Sequence, residues 1–252
     1  ADNAAALFWN PAGLAYQRGS QVSITHSNWL PNFNVGLFYD YLVGTTYIDG
    51  IGTVGAHITY LNLGEQFQTA ESSSEVINRF RSYELAAGLS YGFEISKNFA
   101  IGTGFRYIFS SLADGVVGGA AGAVGAQEIN PGSSVGVDLA FLYRTDDFDL
   151  GNRRAQFSFG TNLSNIGPGI QYTDNAQKDP LPTVMRAGFA FDMDLDEEGF
   201  NTITLATDVS KIMARQEVVI ENGDTTGFRA VRHSKSIFQA WDAVRRQTGL
   251  VD

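Results

Sequence analysis

The stretch SYELAAGLSYGFEI at residues 82–95, followed after a short break by FAIGTGFRYIF at residues 99–109, decides the fold. In the first, Tyr83, Leu85, Ala87, Leu89, Tyr91, Phe93 and Ile95 alternate with Ser82, Glu84, Ala86, Gly88, Ser90, Gly92 and Glu94. In the second, Phe99, Ile101, Thr103, Phe105, Tyr107 and Phe109 alternate with Ala100, Gly102, Gly104, Arg106 and Ser110. A period of two is the mark of a β-strand with chemically different faces. Residues 21–30, 34–43, 52–63, 135–144, 155–163, 184–195 and 202–209 repeat it. The total is about nine strands of about 9–12 residues, against a usual globular length of about 5–6. A tilted strand crossing a bilayer needs about 9–11 residues, so the lengths suit a membrane wall.

Charge placement agrees. Asp40, Glu84, Glu94, Arg106, Asp138, Arg144, Arg186 and Asp208 are assigned to the small-residue face. None is assigned to the aromatic and aliphatic face, where a midplane Lys or Arg costs about 2–4 kcal/mol against lipid. Aromatics gather near strand ends, as at Tyr83 and Phe93, in the manner of interfacial girdles. The competing reading is a soluble β-sandwich, whose strands are shorter and whose outer faces carry more Lys and Glu. The connections at 64–81, 111–133 and 164–182 are long, and those at 96–98 and 196–200 are short. Long links at one end and short turns at the other are the habit of outer-membrane barrels. The link at 31–33 is short where a long one belongs.

Composition narrows the class further. The chain has 252 residues, no cysteine, 28 glycines and a net charge of −10, with 17% charged residues and a mean hydropathy of −0.09. No disulfide, thiolate chemistry or cysteine metal site is possible. The acidic balance argues against nucleic acid, which needs a basic surface. No run approaches the 18 or so apolar residues of a spanning helix. The expected fold is therefore all-β, a transmembrane antiparallel β-barrel. Its expected parts are an N-terminal plug at residues 1–19, barrel strands with long outer loops at 20–211, and a long outer loop with a short helix at 212–252.

Several motifs carry the resemblance. The opening DNAAALFWNPAGLA (residues 2–15), WLP (29–31), YLNLGE (60–65), RYIFSSLA (106–113), LSNIGP (163–168) and LATDVSK (205–211) resemble the PorV/PorQ family of Bacteroidetes, PorV most closely. That family belongs with the FadL-like outer-membrane barrels. The resemblance implies a subunit of the type IX secretion system, a 14-stranded barrel with an N-terminal plug in the outer membrane. It implies a SprA-type translocon, C-terminal signal domains of secreted proteins and a PorU-type sortase attachment complex as partners. Only nine or so strands are visible, so the C-terminal strands of the family pattern are expected to be missing.

Candidate sites follow. Trp9, Asn10 and Pro11 precede the first strand, either as a latch for the plug or as a plain Asn-Pro turn. Val116, Val117, Gly118, Gly119 and Val124 form an uncharged stretch in a long loop, read as a partner-docking loop or as a flexible linker. Ile237, Phe238 and Trp241 fall at helical spacing after Ser236, as a helix over the barrel mouth or at the membrane interface. Glu84, Arg106, Asp138 and Arg144 are expected to form a lumenal charge network. Gly132-Ser133-Ser134-Val135-Gly136 fits G-x-S-x-G, but a strand rather than a helix follows it, so it is not a nucleophile elbow. Residues 192–196 begin like a calcium loop but lack its glycine and terminal glutamate, and read as a solvated turn. His26, His57 and His233 lack metal-ligand spacing. No cofactor and no catalytic group is expected. The function expected is binding of exported signal domains; the other reading is transport of hydrophobic small molecules.

Overall fold

The computed structural model describes residues 3–33, 35–69, 74–118, 127–173, 178–221 and 224–232. The chain begins with one helical turn, α1 (Ala6–Trp9), and a 3-10 segment, Pro11–Tyr16. Strands then follow: β1 (Ser20–Trp29), β2 (Leu37–Ile48), β3 (Gly52–Thr69), β4 (Val76–Ser96), β5 (Phe99–Ser111), β6 (Val116–Gly118) and β7 (Gln127–Ile129). After these come β8 (Gly132–Arg144), β9 (Phe148–Leu150), β10 (Arg153–Ile166), β11 (Val184–Asp194), β12 (Thr202–Ile212), β13 (Ala214–Glu221) and β14 (Asp224–Arg232).

Nine strands form one antiparallel meander in the order β1-β2-β3-β4-β5-β8-β10-β11-β12, curled as a half-barrel. β9 folds back on β10, while β6–β7 and β13–β14 make separate two-stranded sheets. The architecture is all-β, and no helix among the described residues is long and apolar enough to cross a membrane. Within the described residues β1 and β12 each have a single partner.

The alternation sorts side chains as a membrane wall requires. Leu89, Phe105, Leu139 and Leu205 on the convex face are more than half exposed, whereas Ala100 on the concave face is fully buried. Two aromatic bands border the convex face. Toward the long connections, rings of Phe38, Tyr60, Tyr83 and Phe109 follow one another at 5.8–5.9 Å. Toward the short turns, Tyr91 with Phe93 and Phe99 with Phe141 and Tyr143 form the second. Tyr83 and Phe93 lie about ten residues apart on β4, so at about 3.3 Å per residue and a tilt near 40° the bands are about 25 Å apart. That is the height of the apolar belt of an outer-membrane barrel.

Strands run longer than the expected 9–12 residues: β3 has 18 and β4 has 21. The connection expected at 64–81 is therefore mostly strand, with a register shift between Asn62 and Glu65. Asp40 does not lie on the inner face. Tyr41 and Val43 pack inward toward Leu7, which turns Asp40 outward against His26 at 2.5 Å. The short link at Pro31–Phe33 is a 3-10 turn entered through Leu30 at φ 51°. Of residues 212–252, expected as a long outer loop with a short helix, Ala214–Glu221 and Asp224–Arg232 pair as the β13–β14 hairpin; Ile237, Phe238 and Trp241, where the helix is expected, lie outside the described residues.

Candidate functional site

The concave face is paved with residues lacking bulk, and the N-terminal segment lies in the hollow this leaves. A Cβ at Gly102 would collide with the backbone of Pro11 and Ala12, one at Gly92 would sit 2.6 Å from the Leu14 side chain, and one at Gly55 2.9 Å from Leu7. Only glycine permits such an approach of backbone to backbone. Leu7, Pro11, Ala12 and Leu14 are consequently buried.

Asn10 joins this segment to the wall. Its side-chain oxygen accepts from the Ala12 amide at 3.0 Å, starting the 3-10 segment, with Pro11 at the first position. Its Nδ2 donates to the carbonyls of Phe141 on β8 and Thr161 on β10, at 3.2 and 3.3 Å. Asn162 returns a bond to the Trp9 carbonyl at 2.9 Å. The Arg144 guanidinium stacks on Tyr16 at 4.3 Å and Arg186 on Trp9 at 5.8 Å. Gln21 on β1 accepts from the Ala4 amide, and Arg18 pairs with Glu94 on β4 at 2.6 Å. The segment is thus tied to strands on both sides of the half-barrel.

The four residues expected as one charge network divide into three groups. Arg106 pairs with Asp138 at 2.8 Å, with the Asp138 side chain 5% exposed. Glu84 instead accepts from Ser110, which also bonds to Tyr172. Arg144 belongs with Tyr16 in the N-terminal segment. The partner that the sequence did not announce is Asn165. It sits at φ 58° where β10 shifts register, accepts from Arg106 at 2.6 Å and donates its amide to Asp138 at 2.8 Å. The Ser-Asn-Ile-Gly-Pro run that ends β10 was the available signal, since Asn tolerates the left-handed region. Nearby, Tyr41 Oη, His57 Nδ1 and Arg106 Nε are buried without a protein hydrogen-bond partner.

Part of the β10–β11 connection turns inward. Ser134 donates to the Pro168 carbonyl at 2.7 Å, Ile170 packs on Gly132, and Ile170 and Leu181 are buried. Ser134 of the G-x-S-x-G match is therefore a structural donor on an inward face. Asp196 accepts from the Phe200 and Asn201 amides at 2.7 and 2.9 Å, closing the 195–201 turn. Two clefts flank the N-terminal segment. One, of about 460 Å³, is aromatic, between Phe8 and Trp9 and the Trp29, Tyr39 and Tyr41 side chains. The other, of about 640 Å³, has charged side chains, Arg144, Arg186, Asp192 and Asp208, among an otherwise largely apolar lining that includes Trp9, Leu142 and Phe189.

Of the expected docking loop, Val116–Gly118 is strand β6, paired with β7 from Val116↔Ile129 to Gly118↔Gln127; Gly119 and Val124 lie outside the described residues.

A search of curated proteins finds no match to this chain. The family model described as type IX secretion system protein PorV matches residues 1–217. The chain belongs to the PorV family. It is accordingly an outer-membrane component of type IX secretion, and PorV is not a known enzyme family. The match spans the N-terminal segment, the nine-stranded sheet and the Arg106–Asp138–Asn165 cluster together.

Proposed function

We propose that this PorV-family protein binds the C-terminal signal domains of exported proteins and passes them from a SprA-type translocon to a PorU-type sortase attachment complex at the cell surface. Residues 1–19 serve as a lumen plug, and the long connections form the receiving end. The observation that carries this reading is the seating of the N-terminal segment in a glycine-lined hollow. A wall that devotes its inner face to holding a segment in place suits a binding platform better than a conduit. The polar layer of Tyr41, His57 and Arg106 points the same way, since it carries buried polar atoms with no protein partner, which an apolar permeant cannot satisfy.

The aromatic cleft beside Trp29 favours a second reading, uptake of hydrophobic small molecules. Capture of a type IX signal domain by the detergent-purified protein separates the two. Stoichiometric capture is expected; no capture, together with saturable binding of a long-chain fatty acid, would move the assignment to transport.

A further inference from the structure

β3 and β4 outrun their neighbours at the long-connection end. β2 covers β3 only as far as Phe38↔Asn62, and β5 covers β4 only as far as Tyr83↔Ser111. Beyond the aromatic band containing Tyr60 and Tyr83, the rungs Glu65↔Arg81, Gln66↔Phe80, Phe67↔Arg79, Gln68↔Asn78 and Thr69↔Val76 continue as a free-standing two-stranded ribbon. Such a ribbon alone is marginal in water. Arg79 lying over Phe67 at 5.1 Å braces it.

The two edges of this ribbon differ. On the β3 side the chain at Val35 and Gly36 closes in: Asn62 donates to the Gly36 carbonyl at 2.9 Å, and a Cβ at Gly64 would strike the Val35 carbonyl. On the β4 side, among the described residues, no strand pairs with Val76 to Arg81. An open edge presents amides and carbonyls at alternate residues, a template that proteins normally blunt or cover. Arg79 and Arg81 project from one face of it, next to the exposed Ile77. In a chain of net charge −10 that is a local positive strip.

We infer that the β4 edge from Val76 to Arg81 is a docking strip. It takes an extended segment of the exported protein's signal domain by strand addition, with acidic side chains of that segment against Arg79 and Arg81. This rests on the function proposed above and names the place and mode of contact. Main-chain pairing reads an extended backbone with little regard to side chains. A receiver of many different cargo sequences needs recognition of that kind, and the two arginines supply register and orientation.

Hydrogen exchange on the full-length protein in detergent, with and without a purified type IX signal domain, tests it. Alternate amides of residues 76–81 are expected to slow by about tenfold or more on binding, while residues 65–69 change little. Arg79→Glu/Arg81→Glu is expected to weaken binding by about tenfold at low salt and less at high salt. Binding with unchanged exchange at 76–81 would overturn the inference and leave the proposed function standing. So would protection of 76–81 already present without cargo, which means that the chain itself covers the edge. Failure of the unaltered protein to bind any signal domain would overturn the proposed function, and this inference with it.

Discussion

At the scale of single residues, Asn10 does the most. It caps its own turn and bonds carbonyls on two strands, 131 and 151 residues away. Replacing Asn10 with Ala removes a cap worth about 1 kcal/mol and two bonds of about 0.5–1.5 kcal/mol each. The net loss expected in seating the N-terminal segment is about 2 kcal/mol, so exchange of the residue 6–16 amides should accelerate about thirtyfold while the strand amides stay protected. A second local prediction concerns the short turns. Lys97 pairs with Asp146 at 2.7 Å, and Asn98 also donates to Asp146. The hydrogen bond from Lys97 holds the Asp146 carboxyl below its ordinary value, and the bond to Asp146 raises Lys97 above its own. The carboxylate's share of stability is therefore present above the ordinary carboxylate pKa and is lost as pH falls through the lowered one. The ammonium's share is present below the ordinary lysine value and is lost as pH rises through the raised one. In Lys97→Ala, a carboxyl-carbon NMR titration should find Asp146 titrating at higher pH than in the unaltered protein. None of these partners was legible in the sequence, because a side chain's distant acceptors leave no local pattern. Asn10-Pro11 announced a turn, and nothing in it announced Phe141 or Thr161.

Among the elements, strands were legible wherever one face meets lipid, since a period of two is written locally. Where both faces meet water the contrast fades. Glu65, Gln66, Gln68 and Thr69 read as a loop, although the ladder continues through them. β2 misled for the opposite reason: residues 37–43 are apolar or aromatic except Asp40, so the phase could be taken either way. Only the packing of Tyr41 and Val43 against Leu7 decides it. Fit between the N-terminal segment and β5 is tested at Gly102. Gly102→Val places a branched side chain where Pro11 and Ala12 lie. Such overpacking costs about 1–3 kcal/mol if absorbed locally. The expectation is release of the segment, seen as protease cleavage within residues 3–17, with the far-UV strand signal retained. Cleavage no faster than in the unaltered protein would contradict the close fit.

For the whole molecule, the two aromatic bands and the apolar convex face between them state where the bilayer lies. Leu89 is on that face, between Tyr83 and Phe93, while Gln66 is on the ribbon beyond the band. Leu89→Arg should cost about 2–4 kcal/mol in reversible unfolding from lipid vesicles, and Gln66→Arg about 0–1 kcal/mol. Equal costs would contradict the placement. The N-terminal segment fills the hollow of the half-barrel and the ribbon projects at the long-connection end, which on the function proposed above is the receiving end. The most direct test is titration of a purified type IX signal domain against the protein in vesicles, with a long-chain fatty acid titrated in parallel. Saturable one-to-one binding of the signal domain, unaffected by the fatty acid, is the predicted result. No binding of the signal domain, alongside saturable quenching of tryptophan emission by the fatty acid, would contradict it.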